Sequence, residues 1–281
     1  MPRSFLQGLT GCFGFPVAEN PTQAMMEAAY ASLGLDWRYL TVEVRPEQLG
    51  DAVRGAHAMN WRGFNCTIPH KIEVLQFLDE PSKAAKAIGA VNCVVNRDGR
   101  LIGDNTDGKG FVQSVQAVRD VQGMRCVVLG SGGAARAIAV ELAIAKAARV
   151  TIVGRRLGKI AEVSDAALMF TASDVVVWKD NYRVPADVDL LVNATSIGLF
   201  PDVDARVPVD VSTFRPGLIV CDVIPNPPRT RLIRDAEEAG CVALDGLGML
   251  VNQGVIGIKL WSDLDADSAV MRRALEEVFK T

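Results

Sequence analysis

Short runs of apolar and β-branched residues alternate along the chain with stretches whose apolar residues recur at helical spacing. The runs predicted to form strands are residues 37–44, 63–68, 90–96, 125–130, 149–154, 174–178, 189–194 and 218–224. The stretches predicted to form helices are residues 21–34, 46–59, 132–147, 157–170, 230–239 and 266–279. Such alternation is typical of α/β proteins that contain parallel sheets.

A domain boundary is predicted near residues 107–122, which read as one helix that leads into a new strand. The last predicted helix carries apolar residues along one side, at Val270, Leu275 and Val278. Alone, this helix would leave the apolar stripe in water. We therefore expect it to pack back onto the first domain.

The composition indicates a large buried core and no polyanionic partner. Apolar residues make up 49% of the 281 residues and charged residues 22%, with 30 Lys and Arg against 33 Asp and Glu, a net charge of -3. No block of like charges suggests a nucleic acid or a membrane surface as partner. No apolar run reaches about 18 residues, and the N-terminus lacks a long apolar segment. A soluble, cytoplasmic protein is expected.

The cysteine and histidine content argues against a metal site. The six cysteines include no C-x-x-C pair, and most lie within apolar runs. This pattern predicts buried, reduced thiols. Two histidines, His57 and His70, are too few for a histidine-rich site, so no metal is predicted.

The segment RCVVLGSGGAARAIAVEL, residues 125–142, predicts a dinucleotide-binding turn between a buried strand and a helix. Gly130 permits the tight turn, Gly132 lets the backbone approach a pyrophosphate, and Ala135 allows close packing of helix and strand. The helix N-terminus offers unpaired N–H groups to the phosphates. The predicted cofactor-binding residues of this turn are Gly130, Ser131, Gly132, Gly133 and Ala134. A purely structural glycine turn is the alternative.

Cations stand at the end of the next strand, RVTIVGRR, where an NAD site usually has a carboxylate for the ribose 2′-hydroxyl. Arg155 and Arg156 occupy this place, and Lys159 follows one turn later. Positive charge favours a 2′-phosphate, so NADP(H) is the predicted cofactor and NAD(H) the alternative. A solvated surface charge is the other interpretation of these cations, above all for Arg156 and Lys159.

Another strand, DLLVNATSIG at residues 189–198, ends in polar and small residues. In an open α/β sheet, ligands lie beyond the carboxyl ends of the strands. Asn193, Thr195 and Ser196 are therefore predicted to line the cofactor site. A simple strand-to-loop turn is the alternative.

Polar residues also stand at the edges of three apolar segments in the first half of the chain. Lys71 follows a predicted strand in GFNCTIPHK, Asn92 lies in GAVNCVV, and Asp107 lies in GDNTDGKG. A lysine can give a proton to a carbonyl, or take one from an alcohol, while hydride moves. A neighbouring carboxylate orients the ammonium and biases its protonation state. Surface charges, and an N-cap role for Asp107, are the alternatives.

The chain resembles the shikimate/quinate dehydrogenase family in six motifs that follow the family's order over nearly the full length. These are GFNCTIPHK, AIGAVNCVV, GDNTDGKGF, VVLGSGGAARA, NATSIG and DGLGMLVNQG. The resemblance implies two α/β domains that flank a cleft, the second a Rossmann-type doubly wound parallel sheet. The implied domains are residues 1–107 with 253–281 for the substrate, and residues 108–252 for NADP. Hydride transfer between shikimate and 3-dehydroshikimate, in aromatic amino-acid biosynthesis, is the implied reaction.

Matched motif by motif, the family's catalytic lysine and aspartate correspond to Lys71 and Asp107. The residues implied to bind the substrate here are Thr67, Asn92 and Gln253, and Gly246 is assigned to the cofactor site. His70 follows the family pattern, but no chemistry is assigned to it. The implied partner is a small cyclic hydroxy acid. A homodimer is compatible with the sequence, which does not fix the oligomeric state.

Two departures from the family pattern fall on the substrate side. The family holds the substrate carboxylate with a Ser-x-Ser pair, and GFPVAENPTQAM places Asn20 and Thr22 in those positions. An amide and a hydroxyl can still bind a carboxylate, although Glu19 adds a negative charge nearby. Pro225 stands where the family commonly has a tyrosine. These changes predict the same chemistry with an altered substrate preference; a quinate or aminoshikimate dehydrogenase and a non-catalytic nucleotide-binding regulator are the alternatives.

Overall fold

The computed structural model describes residues 5–280. The chain has an α/β fold and divides into two compact units, each with its own six-stranded sheet. The first unit comprises the described residues up to Thr106 together with those from Gln253 onward, and the second comprises Asp107–Asn252. The predicted α/β class is confirmed.

The first unit contains a mixed sheet. Its strands are β1 (Gly8–Gly14), β2 (Trp37–Glu43), β3 (Gly63–Cys66), β4 (Glu80–Pro81), β5 (Cys93–Arg97) and β6 (Arg100–Asp104). They lie in the order β2-β1-β3-β5-β6-β4, and β5 is antiparallel to both of its neighbours. The helices of this unit are α1 (Thr22–Ser32), α2 (Leu49–Ala58), α3 (His70–Glu73), α4 (Lys83–Ile88) and, near the C-terminus, α10 (Ser268–Val278).

Strand β1 lies between β2 and β3, although the hydrophobic pattern does not predict it. Its sequence, GLTGCFG, contains three glycines, which weaken any strand pattern. A Cβ on Gly11 would lie 2.4 Å from the backbone oxygen of Leu40, and one on Gly14 would lie 2.4 Å from Cγ2 of Thr67. Glycine is required at both positions because neighbouring segments occupy the space of a side chain.

The second unit contains a parallel sheet. Its strands are β7 (Arg125–Leu129), β8 (Arg149–Gly154), β9 (Ala172–Val177), β10 (Leu190–Asn193), β11 (Ile219–Asp222) and β12 (Val242–Leu244), and its helices are α6 (Gly133–Ile144), α7 (Leu157–Leu168) and α8 (Arg231–Glu238). The strand order is β12-β11-β10-β7-β8-β9. This is the doubly wound order of a dinucleotide-binding sheet, which confirms the predicted Rossmann-type fold. The strand order reverses between β7 and β10.

Two further helices lie at the boundaries between the units. Helix α5 (Thr106–Gln116) begins at the last residue of the first unit, and α9 (Gly246–Ser262) contains the second boundary. Helix α5 is shorter than the predicted helix over 107–122, and beyond its end the carbonyl of Val115 accepts from the N–H groups of both Val118 and Arg119.

Strand β7 of the second unit is apolar at every position after Arg125, because both faces of the sheet are covered. Cys126 and Val128 of β7 pack into a core that contains residues of α5, α6 and α7. Val127 and Leu129 of the same strand point to the opposite face and pack with residues of α8. A parallel sheet covered on both faces is expected to have such continuous apolar strands.

Helix α9 was not predicted, because its sequence is apolar on nearly all sides and contains four glycines. A Cβ on Gly254 would lie 2.7 Å from Cε of Met25 and 2.8 Å from Cε of Met271. Helix α10 therefore packs within the first unit, where Met271 and Leu275 are buried. The prediction that Val278 belongs to the buried apolar side of this helix is wrong, because Val278 is 41% exposed. No helix within residues 5–280 is long and apolar enough to cross a membrane.

The six cysteines, all in the described part of the chain, form no disulfide, and five of them are buried. Burial raises the pKa of the Cys126 thiol to about 12, and it also raises the pKa values of Cys66 and Cys221. These thiols are protonated at neutral pH and pack as small apolar side chains.

Candidate active site

The dinucleotide turn joins β7 to α6 in the second unit. Gly130 has a φ of +122°, and a Cβ there would lie 2.8 Å from the backbone oxygen of Ala194, so only glycine fits. A Cβ on Gly132 or Gly133 would meet no atom of residues 5–280 within 4 Å. Open space thus borders the first N–H groups of α6, which suits a phosphate. Ala135 is fully buried, as its predicted packing role requires.

Two accessible cations follow β8. Arg155 and Arg156 come directly after Gly154 and are exposed. Within residues 5–280, neither guanidinium takes part in a hydrogen bond or an ion pair. Lys159 differs, because its Nζ lies 2.9 Å and 3.0 Å from the two carboxylate oxygens of Glu162. The arginines can therefore meet a phosphate without breaking an existing pair, whereas Lys159 cannot.

The loop at residues 193–198 leaves the carboxyl end of β10. Asn193 is fully buried, and its Oδ1 accepts hydrogen bonds from the N–H of Thr195 at 3.1 Å and from its hydroxyl at 2.7 Å. The Thr195 hydroxyl oxygen in turn accepts from the N–H of Ile197 at 3.1 Å. Ser196 is exposed. The buried Asn193 holds the loop, which presents Ser196 to solvent.

A buried carboxylate that the sequence pattern did not single out stands beside this loop. Asp222 ends β11 and is 1% exposed. Its Oδ1 accepts from Nδ2 of Asn193 at 3.0 Å and from the N–H of Ile224 at 3.2 Å, and its Oδ2 accepts from the Thr230 hydroxyl at 2.7 Å. Burial raises the pKa of Asp222 to about 6, although these three hydrogen bonds oppose the shift.

Gly246, which was assigned to the cofactor site, has a packing role in this structure. A Cβ there would lie 2.3 Å from the backbone oxygen of Ile224. The start of α9 therefore lies directly against the chain that leaves β11. The cofactor role of Gly246 stays a prediction.

Two of the predicted substrate residues of the first unit, Asn92 and Gln253, meet in one buried hydrogen-bond network, and Thr67 is half-buried. Oδ1 of Asn92 accepts from the N–H of Thr106 at 2.7 Å, and its Nδ2 donates to the Thr106 hydroxyl at 3.0 Å. The Thr106 hydroxyl also lies 3.5 Å from Oε1 of Gln253. Thr106 thereby brings together Asn92 and Gln253, and it directly precedes Asp107, which is half-buried in the first turn of α5.

A second layer of the network fixes the backbone of Asn92. The Tyr39 hydroxyl donates to Oδ1 of Asn65 at 2.7 Å, and Nδ2 of Asn65 donates to the carbonyl of Asn92 at 3.0 Å. Burial raises the pKa of Tyr39 well above its usual value, so the phenol remains a neutral donor. The position of the Asn92 backbone therefore depends on Tyr39, a residue far earlier in the chain.

Replacing Tyr39 with phenylalanine should lower the free energy of unfolding by about 1–3 kcal/mol, because Oδ1 of Asn65 would be buried without a donor. Urea unfolding measures this change. Tyr30→Phe is the matched control, since the Thr10 hydroxyl that faces Tyr30 at 2.8 Å still donates to the carbonyl of Arg38 at 3.0 Å. Equal losses for the two variants would contradict the role given to Tyr39.

Lys71 lies in the short helix α3 and is half-buried. Its carbonyl accepts from the N–H of Val91 at 2.7 Å, which holds the lysine backbone beside Asn92. His70 is 1% exposed, and its Nε2 lies 2.7 Å from the carbonyl of Val44. His70 therefore anchors α3 to the end of β2. The N–H of His70 also bonds to the carbonyl of Thr67 at 2.8 Å.

The segment GFPVAENPTQAM, which replaces the family's carboxylate-binding pair, contains an internal hydrogen bond. Oδ1 of Asn20 accepts from the N–H of Thr22 at 2.9 Å, and its Nδ2 lies 3.8 Å from Sγ of Cys12. Thr22 begins α1 and is buried, whereas Glu19 is exposed. Pro225 is half-buried in the second unit. Asn20 thus uses its amide oxygen within the protein, and one of its N–H groups faces a thiol.

No group of three or more histidine, cysteine, aspartate or glutamate side chains within residues 5–280 is placed to hold a metal ion. The polar groups of the candidate site are amides, hydroxyls, a lysine and a carboxylate. Such groups can hold a polyhydroxylated ring and exchange a proton with it.

Two stretches of the chain match known family profiles. Residues 12–94 match the shikimate dehydrogenase substrate binding domain, and residues 246–276 match the shikimate 5'-dehydrogenase C-terminal domain. Over 273 residues the chain is 40% identical to the shikimate dehydrogenase (NADP(+)) of Desulforamulus reducens, covering 95% of this chain and 94% of the relative. The chain belongs to the shikimate dehydrogenase family. The resemblance predicted from the six motifs is confirmed.

Solved structures of two relatives span nearly the whole chain. The 5-ketofructose reductase of Gluconobacter sp. strain CHM43 is 50% identical, with a TM-score of 0.96 and coverage of 98% of this chain and 100% of that chain. The shikimate 5-dehydrogenase of Listeria monocytogenes, in complex with shikimate and NAD, is 32% identical, with a TM-score of 0.90 and coverage of 98% of both chains. A 5-ketofructose reductase therefore resembles this chain along nearly its whole length.

Sequence reasoning missed three polar residues that organise the site of this shikimate dehydrogenase family member. Thr106 lies in the motif GDNTDGKGF and Asn65 in GFNCTIPHK, but only Asp107 and Lys71 of these motifs were assigned a catalytic role. Asp222 gave a signal that could have been used, because a carboxylate ends an otherwise apolar strand at the edge where ligands bind.

Proposed function

We propose that this protein is an NADP(H)-dependent oxidoreductase that interconverts a ketone and a secondary hydroxyl group on a small polyhydroxylated substrate. Shikimate and 3-dehydroshikimate, or a closely related cyclic hydroxy acid, form the first candidate substrate pair. The observation that carries the proposal is the buried network in which Thr106 joins Asn92 to Gln253 next to Asp107. Its amide and hydroxyl groups suit a ring with several hydroxyls.

Lys71 is the proposed proton partner. In the reducing direction it gives a proton to the carbonyl oxygen, and in the oxidising direction it takes the hydroxyl proton. Asp107 is proposed to orient the ammonium and to favour its charged form. Thr67, Asn92 and Gln253 are proposed to hold the ring hydroxyls. When bound, the nicotinamide cofactor supplies or accepts the hydride.

The cofactor is proposed to be NADP(H), with NAD(H) as the alternative. Support comes from the exposed, unpaired Arg155 and Arg156 and from the open space beside Gly132 and Gly133. The substrate domain is proposed as residues 1–107 with 253–281, and the NADP domain as residues 108–252. A cytoplasmic location, a homodimer and the absence of a nucleic-acid partner stay predictions; light scattering after size exclusion tests the dimer.

A second candidate substrate is a neutral sugar ketone such as 5-ketofructose. The specific observation in its favour is that Asn20 turns its amide oxygen onto the N–H of Thr22 and an N–H toward Cys12. The segment that holds a carboxylate in the family then has fewer donors to offer an acid. The 50% identity to a 5-ketofructose reductase points in the same direction.

Initial rates over a substrate panel test both candidates. The panel comprises shikimate, 3-dehydroshikimate, quinate and 5-ketofructose, each with the phosphorylated and the unphosphorylated cofactor. Turnover of at least one member with NADPH or NADP+ is expected. Cofactor binding without turnover of any panel member would overturn the proposal and would instead favour a non-catalytic nucleotide-binding regulator.

The double variant Asn20→Ser with Thr22→Ser separates the two substrates. The change at position 20 replaces an engaged amide with a hydroxyl donor, and the change at position 22 keeps a hydroxyl and completes the family's serine pair, so kcat/KM for the acids should rise about tenfold relative to the neutral ketone. Gln23→Ser, at an exposed neighbouring position, is the matched control and should leave this ratio unchanged. An unchanged ratio in the double variant would mean that these two positions do not select between acid and ketone.

A further inference from the structure

The proposed reaction makes no use of the most buried carboxylate described above, Asp222. It is 1% exposed and stands where β11 ends. A buried charge is costly unless several donors satisfy it. Asp222 has three: Nδ2 of Asn193, the N–H of Ile224 and the hydroxyl of Thr230.

Asp222 determines which way the Asn193 amide faces. The two residues are directly paired across β10 and β11. An ionised carboxylate only accepts hydrogen bonds, so Asn193 must present its NH2 group to Asp222. The carbonyl of the same amide is then aimed at Thr195, where it receives both the N–H and the hydroxyl. The fold of residues 193–198 thus depends on the charge of Asp222.

This loop lies against the dinucleotide turn of the same unit. The backbone oxygen of Ala194 would be 2.8 Å from a Cβ on Gly130, which leaves no clearance between the loop and the turn. The contact lies between the ends of β7 and β10, where the strand order reverses. Ligands of open α/β sheets bind at such points.

We propose that Asp222 is a positioning residue for the cofactor, which acts through Asn193 to hold residues 194–197 against the turn at residues 130–135. The inference rests on the proposed NADP(H) function and extends it to a residue that touches neither substrate nor cofactor. Because the pKa of Asp222 is about 6, the carboxylate is ionised in an assay at about pH 8.

Asp222→Asn and Asp222→Ala test this role through the affinity for NADPH, measured by fluorescence titration of the purified full chain. In Asp222→Asn a neutral acceptor replaces a charged one, and the Kd for NADPH should rise about fivefold to tenfold. In Asp222→Ala the acceptor is lost, and the rise should be larger. The KM of the carbonyl substrate should change less than about twofold in both, because the loop at residues 193–198 belongs to the other unit.

Val184→Ala is the control for general loosening of the second unit. Val184 is 4% exposed in the core, and its backbone N–H bonds to the Thr213 hydroxyl, outside the loop at residues 193–198. Val184→Ala should lower the thermal midpoint but leave the Kd for NADPH unchanged. If Asp222→Ala does not fold, the isosteric Asp222→Asn decides the question alone.

Three outcomes would overturn the inference. A Kd for NADPH that changes less than about twofold in Asp222→Asn would mean that the charge does not position the loop. An equal rise in Val184→Ala would assign the effect to lost stability. Failure of the unchanged protein to bind NADPH would remove the proposed function itself, and the inference with it, whereas equal binding by wild type and variants removes only the inference.

Discussion

Replacing Lys71 with alanine is expected to lower kcat by about 10²-fold or more, with a modest change in KM, because proton transfer by a positioned side chain contributes about this much to turnover. The reason is chemical. Hydride transfer to a ketone generates alkoxide character on the oxygen, and a proton from the ammonium removes that charge. The alanine variant retains the hydrogen-bond network around Asn92 and loses only the proposed proton partner.

Steady-state kinetics on the best substrate of the panel measures the effect. Lys71→Met is a second variant, since it keeps the length of the side chain and removes the amine. Lys83→Ala is the matched control, because Lys83 is an exposed lysine of the same unit at the start of α4. It should have unchanged kinetics.

Unchanged turnover in Lys71→Ala would remove this lysine from the mechanism. A rise in KM with kcat unchanged would also contradict the proposal, since it would mean that Lys71 binds the substrate equally in the ground state and the transition state. A folded state equal to that of the wild type, checked by circular dichroism, makes either result interpretable.

The second large effect is expected at the cofactor. Replacing both Arg155 and Arg156 with serine should raise the KM for NADPH about 10²-fold, because each guanidinium can contribute one charge-assisted bond to the 2′-phosphate. The KM for NADH should stay within about threefold, since NADH lacks this phosphate. The ratio of kcat/KM for the two cofactors is the measurement that isolates the effect.

Two controls sharpen this prediction. Lys159→Ala should have a small effect, because its ammonium is paired with Glu162. Arg183→Ser removes another exposed arginine of the same unit, one paired with Asp210, and should leave both cofactors unaffected. If kcat/KM falls equally with NADPH and NADH in the double variant, the arginines support the fold of the site and do not bind the 2′-phosphate.

The motifs assigned candidate substrate residues one by one and did not predict how they are arranged. Lys71, Asn92, Asp107 and Gln253 were assigned from their motifs, and their roles stay predictions. That Thr106 joins Asn92 to Gln253 could not be predicted, because the contact spans 147 positions. The contact between Asn92 and Thr106 in turn requires the start of β5 to lie beside the end of β6, which only strand pairing provides.

The departure at Asn20 illustrates the same limit. The sequence located a changed carboxylate segment and left open whether an amide there would still bind an acid. The turn of Asn20 onto Thr22 and its approach to Cys12 depend on where α1 begins relative to β1. Strand β1 itself was not predicted from the hydrophobic pattern. Its glycines are required by close packing against neighbouring segments, which periodicity does not reveal.

The sequence by itself determined the parallel sheet of the second unit, its dinucleotide turn and the cationic residues after β8. These features are local: continuous apolar runs, a glycine at a positive φ and charges at a strand end each follow from a few consecutive residues. The tertiary structure alone decided the pairing of Asp222 with Asn193, the network around Thr106 and the packing of α9. Those contacts join residues far apart in the chain, and their geometry is fixed by strand register and buried hydrogen bonds that no local pattern encodes.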